Sequence, residues 1–173
     1  PQPETAQLGI EWYRGAFNQA LAVIEDHFEK YRISDALMAL YKLVWDDYSA
    51  WLLEIIKPAY GAPIDKTTYE SVIGLLEQNL VLLHPFMPFL TEEIWQYIQP
   101  RSKDQALIVG QWPKPHATDT ELTNTFGLAA EVIAGVRNIR QEHGIPQKEL
   151  LSLCVLADDQ FPKDWVPVIT KLA

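Results

Sequence analysis

Over most of the first 140 positions apolar residues recur at steps of three and four, and prolines cut that rhythm into segments of helical length. Tyr13, Phe17, Ala20, Leu21, Ile24, Phe28 and Tyr31 give one apolar face to a helix from about Ile10 to Lys30. Ser34 offers an N-cap for a second helix with the stripe Leu37, Leu40, Tyr41, Val44, Tyr48, Trp51, Leu52 and Ile55. It stops before Pro58, because the residue ahead of a proline is driven out of the α region. Residues 59–63 read as a turn, and Asp65 or Thr67 caps a third helix carrying Tyr69, Val72, Ile73, Leu76, Leu80 and Leu83. Pro85 and Pro88 redirect the chain into a short helix through Ile94, Trp95 and Ile98. Ala106 to Val109 reads as extended and Trp112 to Pro115 as a rigid loop. Asp119 caps a long helix through Leu122, Phe126, Ala129, Ile133, Val136 and Ile139, which Gly144 ends with Pro146 just beyond. Leu151 to Ala157 reads as strand-like, and Asp164 to Leu172 as the start of another helix. The expected fold is mainly α: an antiparallel helical bundle followed by the start of a small α/β appendage. The expected boundaries are an N-terminal tail at 1–9, the bundle at 10–147 and a strand–helix appendage at 148–173.

Composition narrows the classes further. Hydrophobic residues make up 48% of the chain, with six Trp, seven Tyr and six Phe, which excludes a disordered segment. No apolar run approaches the roughly 18–20 residues that cross a bilayer, so no membrane partner is expected. The opening Pro1-Gln2-Pro3-Glu4-Thr5 has neither an initiator Met nor a signal core, and reads as a start inside a longer cytoplasmic protein. The single cysteine, Cys154, rules out a disulfide framework; its apolar surroundings predict a buried, inert thiol. The net charge of -9 opposes nucleic acid as a partner, because lysine and arginine supply most of the affinity for phosphates.

Known chemistries are hard to place. No glycine-rich phosphate loop occurs. A di-iron bundle needs Glu-x-x-His pairs, and none of His27, His84, His116 and His143 has a Glu three residues before it. Glu92 and Glu93 are adjacent, so they point about 100° apart on a helix and read as first-turn carboxylates favoured by its dipole. His84, at a helix end among aromatics, reads as a capping or core histidine. The expectation is no catalytic residue, no metal and no cofactor within the chain.

Three segments carry a resemblance. His84-Pro85-Phe86-Met87-Pro88-Phe89-Leu90-Thr91-Glu92-Glu93-Ile94-Trp95 resembles a motif of the anticodon-binding domain in class I aminoacyl-tRNA synthetases of the leucine, isoleucine and valine group. Physically it is a packing motif: prolines reset the chain while Phe86, Met87, Phe89 and Trp95 fill space where helices meet. The segment 41–58, with Trp45, the pair Asp46-Asp47, Trp51 and then Lys57-Pro58, is similar to the valine branch of that group. So is Val136-Arg137-Asn138-Ile139-Arg140-Gln141-Glu142 followed by Gly144-Ile145-Pro146. The resemblance spans residues 10 to 157; one departure is Ser49, where many relatives carry Cys. It implies part of an ATP-dependent ligase that charges valine tRNA, with this part receiving the anticodon end. It also implies a monomer whose catalytic, editing and coiled-coil domains lie elsewhere in the same polypeptide. ATP with Mg then belongs to the catalytic domain, since the His-Ile-Gly-His and Lys-Met-Ser-Lys-Ser motifs are not in this chain. The alternatives are an isoleucine or leucine sibling, or a stand-alone helical module that grips a partner protein.

A helical wheel proposes which face meets RNA. At about 100° per residue, the core stripe of the second helix centres near Val44 and Ile55. Lys42, Asp46, Ser49, Leu53 and Lys57 then face away from it. Leu53 is an apolar residue on that polar face, suited to an unstacked base, with Lys57 and Lys42 suited to phosphates. Arg137 and Arg140 share a face of the long helix; they are read either as phosphate contacts or as forks pairing with Glu142 and nearby acids.

Overall fold

The computed structural model describes residues 1–147, 149–155, 161 and 163–173. Among these residues the chain is helical, with no strand. It divides into two compact units, Pro1–Thr118 and Asp119–Ala173.

The first unit is built on three long rods. Helix α1 (Glu4–Glu29) starts earlier than its stripe suggests, so residues 4–9 are helix rather than tail, and Ala6 and Gly9 are buried. Tyr31, at φ 57°, turns the chain so tightly that α2 (Ile33–Lys42) begins two residues later. Ser34 therefore lies inside the first turn of α2 and does not cap it; Arg32 occupies that position without a side-chain bond. The rod continues as a π-helical segment (Leu43–Leu52) and ends as α3 (Leu53–Ile56), where Lys57 turns extended ahead of Pro58. Asp65 caps α4 (Lys66–Leu83), its carboxylate accepting from the Thr68 N–H at 2.9 Å. Helix α5 (Pro88–Ile98) opens on a proline, whose missing N–H costs nothing in a first turn.

Side-chain pairs fix the directions of the rods. Gln2 Nε2 donates to Thr68 Oγ1 and Tyr13 Oη to Asn79 Oδ1, both across 66 residues, so α1 and α4 run the same way. Gly9 meets Ile55 while Tyr13 meets the Tyr48 ring edge-on at 5.4 Å, so the rod between them runs oppositely. The result is an up-down-up bundle, as short connections demand. Its core includes Tyr13, Phe17, Leu21, Ile24, Leu40, Leu43, Leu52, Ile55, Leu80 and Leu82. Each large side chain contributes about 1.5–3 kcal/mol on burial.

The stretch expected to be extended at 106–109 is instead a single 3-10 turn (Leu107–Val109). Leu107 is anchored from both sides: its side chain is buried, and its N–H donates to Glu92 Oε2 at 2.7 Å.

In the second unit Asp119 caps α6 (Thr120–Glu142), accepting from the Glu121 and Leu122 N–H groups. Gly144, at φ 63°, closes that helix, with the Ile145 N–H donating to the Arg140 carbonyl at 2.8 Å. Helix α7 (Val166–Leu172) packs on α6 beside the buried Trp165, which meets Phe126 edge-on at 5.0 Å. The boundary read at 147/148 falls inside this unit. Residues 151–155 form no strand, since no described segment pairs with them; 156 and 157 lie outside the described residues. Cys154 is exposed, which corrects the expected burial: without a sheet the apolar run has no layer to cover it.

Candidate nucleic-acid interface

The second rod is not one α-helix, and that changes which residues share a face. An α-helix turns about 100° per residue, whereas the i→i+5 bonds of a π-helix widen the turn to about 4.4 residues, near 82° each. Four α steps of four residues, from 41 to 57, drift by about 160°, which puts Tyr41 and Lys57 on opposite sides. Ten π-helical residues within that span cancel nearly all of the drift, leaving about 20°. On this ideal geometry Tyr41, Trp45, Ser49, Leu53 and Lys57, four residues apart, fall in one outer row, and all five are exposed. Ser49 Oγ donates to the Val44 carbonyl five residues back at 2.7 Å, which ties the widened turn.

The core stripe also differs from the expected one. Tyr41 and Leu37, expected inside, are 52% and 40% exposed, and Val44 and Trp51 are half-buried. Ala36, Leu43 and Ile56 are buried beside Leu40, Tyr48, Leu52 and Ile55. A constant 100° wheel cannot follow this change of phase.

The expected contact residues are distributed as follows. Leu53, 37% exposed, and Lys57 lie on the outer row, and Lys57 Nζ pairs with Glu54 Oε1 at 3.2 Å. Lys42 is exposed one step around the rod. Tyr41 and Trp45, which no contact reading included, lie on the row and stack, with centroids 6.0 Å apart and planes 13° from parallel. Tyr41 was expected in the core stripe, and Trp45 was assigned to neither face. Arg137 and Arg140 belong to the second unit. Arg137 Nε donates to the Leu172 carbonyl at 2.9 Å. Arg140, 9% exposed, donates to the carbonyls of Pro146 at 3.0 Å and Glu149 at 3.1 Å. Its fork is closed on the backbone that follows α6, not on Glu142.

The His84–Trp95 segment behaves as packing and capping in most of its members. Thr91 Oγ1 donates to the Met87 carbonyl at 2.8 Å and lies 2.8 Å from His84 Nδ1, so the imidazole ties the end of α4 to the start of α5. Phe86 stacks on Phe28 at 6.0 Å. Trp95 donates from Nε1 to the Gln105 carbonyl at 2.9 Å, and the Arg101 guanidinium lies over its ring at 3.7 Å. Arg101 also pairs with Glu77. Bonds from Gln96 and from the Leu107 N–H hold the Glu92 carboxyl below its usual range. Pro85 and Pro88 are exposed at the surface of the turn. Phe89, expected to fill space between helices, is 90% exposed, and Met87 is also exposed. The turn imposed by Pro88 swings both outward, so the apolar filling comes from Phe86 and Trp95.

Comparison with known proteins supplies the family. Residues 11–155 match the family described as the anticodon-binding domain of tRNA ligase. A valine–tRNA ligase of Christiangramia forsetii is 50% identical over 171 residues, covering 99% of this chain and 20% of the relative. One from Phocaeicola vulgatus is 48% identical over 171 residues, covering 99% and 19%. That of Bacillus subtilis is 36% identical over 150 residues, covering 84% and 17%. The chain thus spans about a fifth of the length of these relatives. On the strength of the match across most of its length, the chain belongs to the anticodon-binding domain family of tRNA ligases.

Proposed function

We propose that this chain is the tRNA-receiving domain of a valine–tRNA ligase, and that it seats the anticodon end while the ligation proceeds elsewhere in the polypeptide. The observation that carries this reading is 50% identity to a valine–tRNA ligase along 99% of the chain. The exposed row on the second rod supports it: Leu53 offers an apolar contact to a splayed base, and Lys57 a cation to a phosphate. The Lys57–Glu54 pair is exposed and worth little, so exchanging the carboxylate for a phosphate is cheap. Lys42 adds a second cation beside the row. Arg137 is the weaker candidate, and Arg140 serves the fold through its carbonyl bonds.

The acidic balance of the chain is compatible with this role when the catalytic and coiled-coil domains of the same polypeptide supply most of the attraction to phosphates, leaving selectivity here. ATP and Mg belong to the catalytic domain in this reading, and the enzyme acts in the cytoplasm as a monomer.

The test is made in the full-length enzyme containing this chain. Leu53→Ala should raise the Michaelis constant for tRNA roughly fivefold to tenfold, the scale of one base contact. Its thermal melting should shift little, because Leu53 is partly exposed. Charging with isoleucine or leucine in place of valine would overturn the assignment to the valine branch. Unchanged tRNA kinetics would remove Leu53 from the contact surface.

A further inference from the structure

We infer that the stacked Tyr41–Trp45 pair is a base platform: its outward ring face takes an unpaired nucleobase of the anticodon loop. The inference rests on the anticodon-binding reading and adds to it the residues that grip a base.

Three observations lead there. First, the pair is exposed, 52% at Tyr41 and 62% at Trp45, although two large aromatic rings on a bundle helix ordinarily turn inward. Secondly, the rings are already parallel, 13° apart, so the platform is assembled before anything binds. A base that lands on a preformed pair orders little further, and less binding energy is lost to side-chain entropy. Thirdly, the π-helical segment places the pair on the row that continues through Ser49 and Leu53 to Lys57. The row thus runs from aromatic rings to an apolar side chain to a cation, the order that a short unstacked strand needs if its bases lie at one end and a phosphate at the other.

Local charge favours a base over a phosphate at the platform itself. Lys42 and Asp46 follow the two ring residues in the chain with opposite charges, and Lys42 also faces Asp47, so no net cation accompanies the rings. Stacking on the ring face is what remains, and every nucleobase offers a face for it. The same absence of net positive charge would also suit an apolar segment of the parent polypeptide, which the experiment must tell apart.

The experiment is a double-mutant cycle in the full-length enzyme, with a valine tRNA transcript and the same transcript carrying abasic sites at its anticodon. Binding is read as a dissociation constant, and charging as separate Michaelis constant and turnover. Trp45→Ala should weaken binding of the intact transcript on the order of tenfold, through the Michaelis constant, while Trp45→Phe retains most of the affinity. With the abasic transcript, wild type and Trp45→Ala should bind alike, because the partner of the ring is gone. Tyr97→Ala, a change at an exposed ring on α5, should leave binding unchanged. If wild type fails to distinguish intact from abasic transcripts, the anticodon-binding reading itself falls. If it distinguishes them and Trp45→Ala does so equally well, only the platform is overturned. A Trp45→Ala enzyme that melts several degrees lower and loses affinity for both transcripts equally would mean that the rings pack against the rest of the polypeptide, which also overturns it.

Discussion

Inside the first unit, single polar atoms carry consequences that the apolar core around them magnifies. Tyr13 Oη donates to Asn79 Oδ1 at 2.9 Å, and Asn79 is fully buried while its Nδ2 has no partner among the described residues. Tyr13→Phe strips the amide of its one bond and should destabilise the chain by about 1–3 kcal/mol. The midpoint of a urea melt measures this, and an unchanged midpoint would show that the amide finds another partner. Asp47 is a different case. Burial pushes its carboxyl from 3.8 up to about 6, partly offset by Lys42. Between those values the folded chain keeps a proton that the unfolded chain has released, so stability falls as pH rises from about 4 to 6 and is level above. Asp47→Asn should therefore stabilise the chain at pH 8, on the order of 1 kcal/mol after allowing for solvent screening at a partly open site. The gain should vanish below pH 4. A gain of equal size at both pH values would assign the effect to packing instead of charge.

At the scale of the element, close approach between rods decides what a position tolerates. A Cβ built on Gly9 would come within 2.6 Å of Ile55 Cγ2 and 3.3 Å of Ile55 Cβ. Alanine in a helix interior is normally favoured over glycine by roughly 0.5–1 kcal/mol. Here overpacking, typically about 1–3 kcal/mol, outweighs that preference, and Gly9→Ala should lower the melting temperature. A rise would show that α1 and α3 can separate without loss. The π-helical segment is the other deciding element. It carries the exposed side from Tyr41 and Trp45 on to Leu53 and Lys57.

The whole molecule carries excess negative charge, with 23 acidic against 14 basic residues, yet belongs to a family that meets tRNA. Individual cations on the proposed contact row should then matter in a salt-dependent way. In the full-length enzyme, Lys57→Ala should weaken tRNA binding at 50 mM salt and reduce the slope of log affinity against log salt by about one unit. A variant slope equal to that of the wild type would place Lys57 away from phosphate.

The helical class, the Asp65 and Asp119 caps, the Gly144 stop and the helix end before Pro58 were legible in the sequence, because each depends on neighbours within one or two turns. The family was legible too, from three short segments in order. Lys42, Asp46, Ser49, Leu53 and Lys57, read as facing away from the core, are all exposed. What only the tertiary structure decided is where local periodicity and global packing part. The phase of the second rod required knowing that its hydrogen bonds skip to the fifth residue, and no residue type signals that. Tyr41, expected inside, is exposed, and Phe89 is exposed by the direction in which Pro88 turns the chain. Cys154 needed a sheet to be buried, and a strand-like apolar run does not by itself supply the neighbouring strand whose hydrogen bonds and cover would make it one.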